Sequence, residues 1–150
     1  LFGAVERGIV HLDRFGEIVA EEWLLTGRLR PRVHMDAFVV MPNHLHGILV
    51  ILGEGAGSRG TSQRAPAAER FGCPTSDSIP TIVRLFKSAV TKRINVARGT
   101  PGAPVWQRNY HDHVIRTDAQ WLHYQDYIES NPARWETDQD SVIELPPPSG

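Results

Sequence analysis

The chain reads as an α+β domain built on antiparallel strands. Two apolar runs, residues 33–41 and 44–52, adjoin across Pro42-Asn43, the layout of a hairpin. Segments of helical periodicity lie on both sides of that pair. Directly after the break stand His44 and His46, separated by one hydrophobe.

In chain order, Leu12 to Thr26 predicts an amphipathic helix with Phe15, Ile18, Val19 and Trp23 near helical spacing, and Gly27 is its expected stop. A lost or very short strand is expected before it. The near-continuous Val, Ile and Leu content of the two strands suits burial on both faces. Residues 53–78 are rich in Gly, Ser, Ala, Pro and Thr and predict a flexible insert. After Pro80, the positions Ile82, Val83, Leu85, Phe86, Val90 and Ile94 form a second apolar helix face. Thr100 to Pro104 reads as a turn, and Val105 to Ile115 as a strand or an extended arm. Thr117-Asp118-Ala119-Gln120 matches a capping box that opens a helix through Ser130, with Asn131-Pro132 expected to close it. Residues 1–145 thus read as one domain with an insert, and 146–150 as a loose tail.

With 150 residues and 41% hydrophobic content, the chain is long enough to bury one real core. It contains no run of eighteen apolar residues, so no membrane span or membrane partner is expected. The lone Cys73 has no partner for an internal disulfide, and a reducing cytoplasm is the expected compartment. The net charge of −1 speaks against a generic nucleic-acid binder. Its distribution is uneven, however: residues 84–116 carry Arg84, Lys87, Lys92, Arg93, Arg98, Arg108 and Arg116 against Asp112 alone. Such a segment could face a polyanion or simply present solvated helix faces.

On a strand, side chains alternate between faces, so His44 and His46 project together, with imidazoles roughly 7 Å apart. Two neutral imidazoles so placed suit a shared divalent ion. In the last helix Tyr127 and Asn131 are four residues apart and share a face. The phenol is a potential nucleophile, and the Asn131 carbonyl is a potential third ligand. An ion there could neutralise and orient a phosphodiester. His111 and His113 have the same strand spacing and form a rival pair, while Tyr124 and Tyr110 are rival nucleophiles. Trp106, Trp121 and Trp135 are expected in packing roles. Lys87, Lys92, Arg93 and Arg108 are candidate phosphate contacts.

These residues resemble a known family. Met41-Pro-Asn-His-Leu-His46 looks like the HUH motif (His, bulky hydrophobe, His) of single-tyrosine transposases. Val83 to Thr91 is similar to their helix before the last strand, and Trp106 to Arg116 and Tyr127-Ile-Glu-Ser-Asn-Pro132 look like the branch called REP-associated tyrosine transposases. The likeness runs over about residues 1–137, apart from the insert. It implies a ferredoxin-like fold with an antiparallel sheet and helices on one face. It also implies Mg²⁺ or Mn²⁺, and cleavage and joining of single-stranded DNA beside a hairpin through a 5′-phosphotyrosine. The nucleophile would be Tyr127 and the metal ligands His44, His46 and Asn131, the last standing where many relatives carry glutamine. On charge alone, Arg84, Lys87, Lys92, Arg93, Arg108 and Arg116 are the expected DNA contacts. The expected setting is the cytoplasmic nucleoid, acting as a monomer or homodimer. The family usually opens with a β-strand that has no evident counterpart here. A hairpin-binding remnant without activity, and a phosphoesterase that uses water, are the alternatives.

Overall fold

A computed structural model of the chain describes residues 1–53 and 77–135. The bulk of the expected insert, with Cys73, and the C-terminal tail lie outside the described residues. The architecture is α+β: β1 (Gly3–Glu6), β2 (Ile9–Leu12), α1 (Arg14–Arg28), β3 (Val33–Val40), β4 (Leu45–Ile51), α2 (Ile79–Arg98) and α3 (Asp118–Arg134). Among the described residues the strands form two antiparallel pairs, β1 with β2 and β3 with β4.

The first pair replaces the lost or very short strand expected before α1. Its turn is Arg7-Gly8, both with positive φ (51° and 75°), the backbone that two-residue hairpin loops favour. This turn abuts α3, because a Cβ on Gly8 would stand 3.3 Å from the Ala133 Cα. Phe2 ties the pair to the rest of the fold. Its N–H donates to the Pro42 carbonyl at 2.9 Å, and its ring is fully buried.

α1 begins at Asp13, whose carboxylate accepts from the backbone N–H groups of Phe15 and Gly16, satisfying two free donors of the first turn. It sends Ile18, Val19 and Trp23 into a core completed by Phe2, Val40, Phe86, Val90 and Ile94. α2 opens with Ser78 as N-cap and Pro80 in its first turn, and ends at Gly99 in the left-handed region (φ 68°). Its apolar stripe is narrower than expected, with Leu85 43% exposed. Arg93 bridges the two helices, donating to Glu22 at 2.9 Å and Glu21 at 2.6 Å.

Two expectations need correction. The helices do not share one face of the hairpin. Leu45 joins the core under α1 and α2, whereas the His46 ring meets Tyr127 of α3. Alternation along β4 makes these opposite faces, so among the described helices α3 alone covers the second one. Asn131-Pro132 does not end α3, which continues to Arg134 with Pro132 inside. Proline removes one helical hydrogen bond, but packing supports the extra turn: Ala133 lies against the Gly8 turn and Trp135 against His44. Of the two readings of residues 105–115, strand or extended arm, the second is the one found, since the segment has no regular secondary structure. Lys87 Nζ binds the carbonyls of Gln107 (3.4 Å) and Asn109 (2.8 Å), and Asn109 has a positive φ of 68°. Those contacts and that turn of the backbone prevent a continuous strand.

Gly47 lets Trp23 lie directly on β4, since a Cβ there would fall 2.4 Å from the Trp23 Cζ2. Gly47→Ala is predicted to destabilise the protein by about 1–3 kcal/mol through overpacking. A urea denaturation midpoint unchanged from wild type would contradict this packing.

Candidate functional site

The hairpin loop is as short as a hairpin allows. Met41 N–H donates to the His44 carbonyl at 2.8 Å, leaving Pro42 and Asn43 as the two loop residues. Pairing Val40 with Leu45 and Val39 with His46 then fixes which side chains face α3. His44 stands at the mouth of the loop and His46 one step into β4.

The two imidazoles are closer than strand spacing alone predicts. Their ring centroids are 4.6 Å apart at an interplanar angle of 77°, and the two Nε2 atoms approach to 3.0 Å. His44 Nδ1 is hydrogen-bonded to Asn43 Oδ1. Burial lowers the pKa of both histidines; for His46, burial and then the neighbouring His44 push it down to about 4. Both rings are therefore neutral at physiological pH, the state that binds metals.

α3 supplies the opposite wall. Tyr127 sets its ring edge-on to His46 at 5.3 Å, and Trp135 lies 5.8 Å from His44. Residues 127, 131 and 135 recur at intervals of four and so form one helix stripe. Asn131, 7% exposed, falls between the two aromatics in this spacing. The helix is registered on β3 by Gln125, whose amide donates to Asp36 at 3.0 Å.

This face suits a divalent cation. Two ligand nitrogens about 2.1 Å from one ion and at right angles are about 3.0 Å apart, the spacing of the Nε2 pair. Among the described residues no group of three His, Cys, Asp or Glu side chains converges, so a third protein ligand on this face would be the Asn131 amide.

The rival groups lie elsewhere. Tyr124 packs against His113 (5.4 Å) and His123 (5.6 Å), away from the histidine pair, and burial raises its pKa. His113 stacks on that phenol instead of pairing with His111. Of the basic candidates, Arg93 is held by Glu21 and Glu22, which raise its pKa. Lys87 anchors the arm, with its ammonium 5.8 Å from the Trp106 ring centroid and 5.9 Å from that of Tyr110; burial lowers its pKa. Arg84 and Lys92 belong to α2, in the layer across the hairpin from α3. Arg108 and Arg116 lie on the arm that leads into α3, and both are exposed. The structure thus brings His44, His46 and Tyr127 together, with Asn131 one turn beyond Tyr127 on the same helix stripe, and leaves the α2 cations apart. Sequence reasoning missed Asn43 and the stacking of Trp135. The four-residue spacing from Tyr127 through Asn131 to Trp135 was the available signal for the second.

The histidine environment predicts a pH response in the metal-free protein. Because the folded state holds His46 neutral well below the ordinary value of 6.5, the unfolded chain binds the extra proton between pH 6.5 and about 4. Stability from this group is intact above that window and falls as pH drops through it. In an NMR titration, the His46 ring protons are expected to shift near pH 4; a midpoint near 6.5 would contradict the geometry.

No family model and no solved structure matches the chain. An uncharacterized protein of Haemophilus influenzae is 37% identical over 139 residues, which cover 93% of this chain and 76% of that protein. Among the described residues no helix is long and apolar enough to cross a membrane. At that identity over nearly its whole length, the chain belongs to the same family as the Haemophilus influenzae protein.

Proposed function

We propose that the protein is a metal-dependent single-strand DNA endonuclease and strand transferase of the HUH transposase type, acting beside DNA hairpins in the nucleoid. The observation that carries this reading is the contact between Tyr127 and His46, with the His44 and His46 Nε2 atoms converging at 3.0 Å. A potential nucleophile and two neutral imidazoles share one wall of the hairpin. The α+β architecture with antiparallel strand pairs is compatible with a mixed fold of this kind.

In this reading His44, His46 and Asn131 hold Mg²⁺ or Mn²⁺. When bound, the ion supplies charge neutralisation and alignment of the phosphodiester. The Tyr127 hydroxyl loses its proton and its oxygen attacks phosphorus. The bond to the 3′ oxygen breaks, and that oxygen leaves as a 3′-hydroxyl after taking up a proton. The 5′ phosphate stays on Tyr127 as a phosphodiester, so the reverse reaction with another 3′-hydroxyl rejoins strands without an external energy source. Arg108 and Arg116, on the arm leading into α3, are the cations best situated to meet the DNA backbone. Lys87 and Arg93 are engaged by the Gln107 and Asn109 carbonyls and by Glu21 and Glu22, and Arg84 and Lys92 would meet only DNA that wraps to the α2 side.

The test is a denaturing gel with a labelled single-stranded hairpin substrate and Mg²⁺ or Mn²⁺. A band of DNA-linked protein is expected, absent with chelator and absent in Tyr127→Phe, while that variant still binds the hairpin. Cleavage by Tyr127→Phe at the wild-type rate would sink the tyrosine assignment in favour of a water nucleophile. His44→Ala is expected to lose metal-dependent cleavage with its fold retained, and undiminished cutting in chelator would refute the metal reading.

A further inference from the structure

The loop residue Asn43 has no part in the scheme above, yet it makes the polar contact at the back of His44. A carboxamide oxygen has only lone pairs to offer. Its hydrogen bond with His44 Nδ1 therefore requires the imidazole to carry its proton on Nδ1. Burial keeps the ring neutral, so Nε2 is left as a lone pair. The 3.0 Å contact between the two Nε2 atoms then has one polarity: His46 donates from Nε2 and His44 accepts. The chain of donors runs from His46 through His44 to Asn43.

We propose that Asn43 is the positioning residue of this site, locking His44 as its Nδ1–H tautomer so that the Nε2 lone pair is presented to a divalent cation. The metal half of this inference rests on the proposed function; the tautomer lock does not. Three features of the loop make Asn43 suited to the task. It precedes His44 directly, so the reach is short. Pro42 fixes the backbone φ one residue earlier, and Met41 N–H closes the loop on the His44 carbonyl. The Trp135 ring packs beside the imidazole, with centroids 5.8 Å apart. Histidines that bind metals commonly donate their second N–H to such a partner, which sets ring orientation and basicity. His46 differs, since its Nε2–H points at His44. Its proton must move to Nδ1 before both lone pairs can meet one ion.

The experiment is a long-range ¹H–¹⁵N NMR spectrum of the metal-free protein, combined with calorimetric titration of Mn²⁺, for wild type, Asn43→Ala and Asn43→Asp. Asn43 is exposed, so neither substitution disturbs the core. Wild type is expected to show His44 Nδ1 as the protonated nitrogen. Asn43→Ala is expected to move His44 toward the Nε2–H form and to weaken Mn²⁺ binding about 10- to 100-fold. Asn43→Asp keeps an acceptor oxygen and is expected to restore both readouts. Finding Nε2–H on wild-type His44, or an unchanged tautomer in Asn43→Ala, would overturn the proposal whether or not metal binds. A tautomer that moves as expected in a protein with no Mn²⁺ binding would uphold the lock and refute the metal site.

Discussion

The register of one short hairpin governs the rest of this molecule. With only Pro42 and Asn43 in the loop, and Met41 bonded to His44, β4 has no room to slide against β3. Because side chains alternate along a strand, a slip by one residue would exchange every partner across the sheet. Leu45 and Gly47 would turn toward α3, and His44 and His46 would enter the apolar layer around Trp23 and Phe86. Burying two imidazoles there without partners carries a large desolvation cost. The same cost disfavours the slipped state, so the histidines contribute to selecting the register that positions them.

That register also explains why the two faces differ. Toward α1, the layer is made of interlocking rings: Trp23 meets Phe86 edge-on at 5.4 Å and Phe38 at 6.3 Å, and Phe2 and Phe86 both contact Trp106. Toward α3, polar groups are mixed with aromatics, and α3 is fixed at separate points: Gln125 on Asp36, Tyr127 and Trp135 on the histidines, and Ala133 against the Gly8 turn. The first layer supplies rigidity, while the second holds α3 at a distance that leaves the imidazoles partly accessible.

The helices, the β3–β4 hairpin and the pairing of His44 with His46 were legible because they rest on local periodicity and on the Pro-Asn break. The Thr117 cap was legible too: its hydroxyl accepts from the Gln120 N–H, although Gln120 Oε1 accepts from the Arg116 N–H in place of the cap residue's own. The β1–β2 pair was not. Its strands have four residues each, too few to register a period, and they are held by Phe2 binding Pro42, forty residues away. The end of α3 was misread for a related reason. The local preference of Asn131-Pro132 to leave the helix is opposed by packing against residues near positions 8 and 44. The basic segment shows the limit most clearly. Charge along the chain counted Lys87 and Arg93 with the other cations, but only the fold pairs one with Glu21 and Glu22 and the other with the carbonyls of the arm.

These anchored cations change what the positive segment can do. To reach a phosphate, Lys87 would give up its contacts with the Gln107 and Asn109 carbonyls, and Arg93 its pairs with Glu21 and Glu22. Both are part of the frame that presents residues 105–116 as an arm. What the arm itself carries outward is Arg108 and Arg116, joined to α3 and hence to Tyr127 by a capped helix start. In a protein with a net charge of −1, long-range attraction to a polyanion is weak. In the proposed reading, DNA recognition would rest on the exposed Arg108 and Arg116 of the arm and not on net charge.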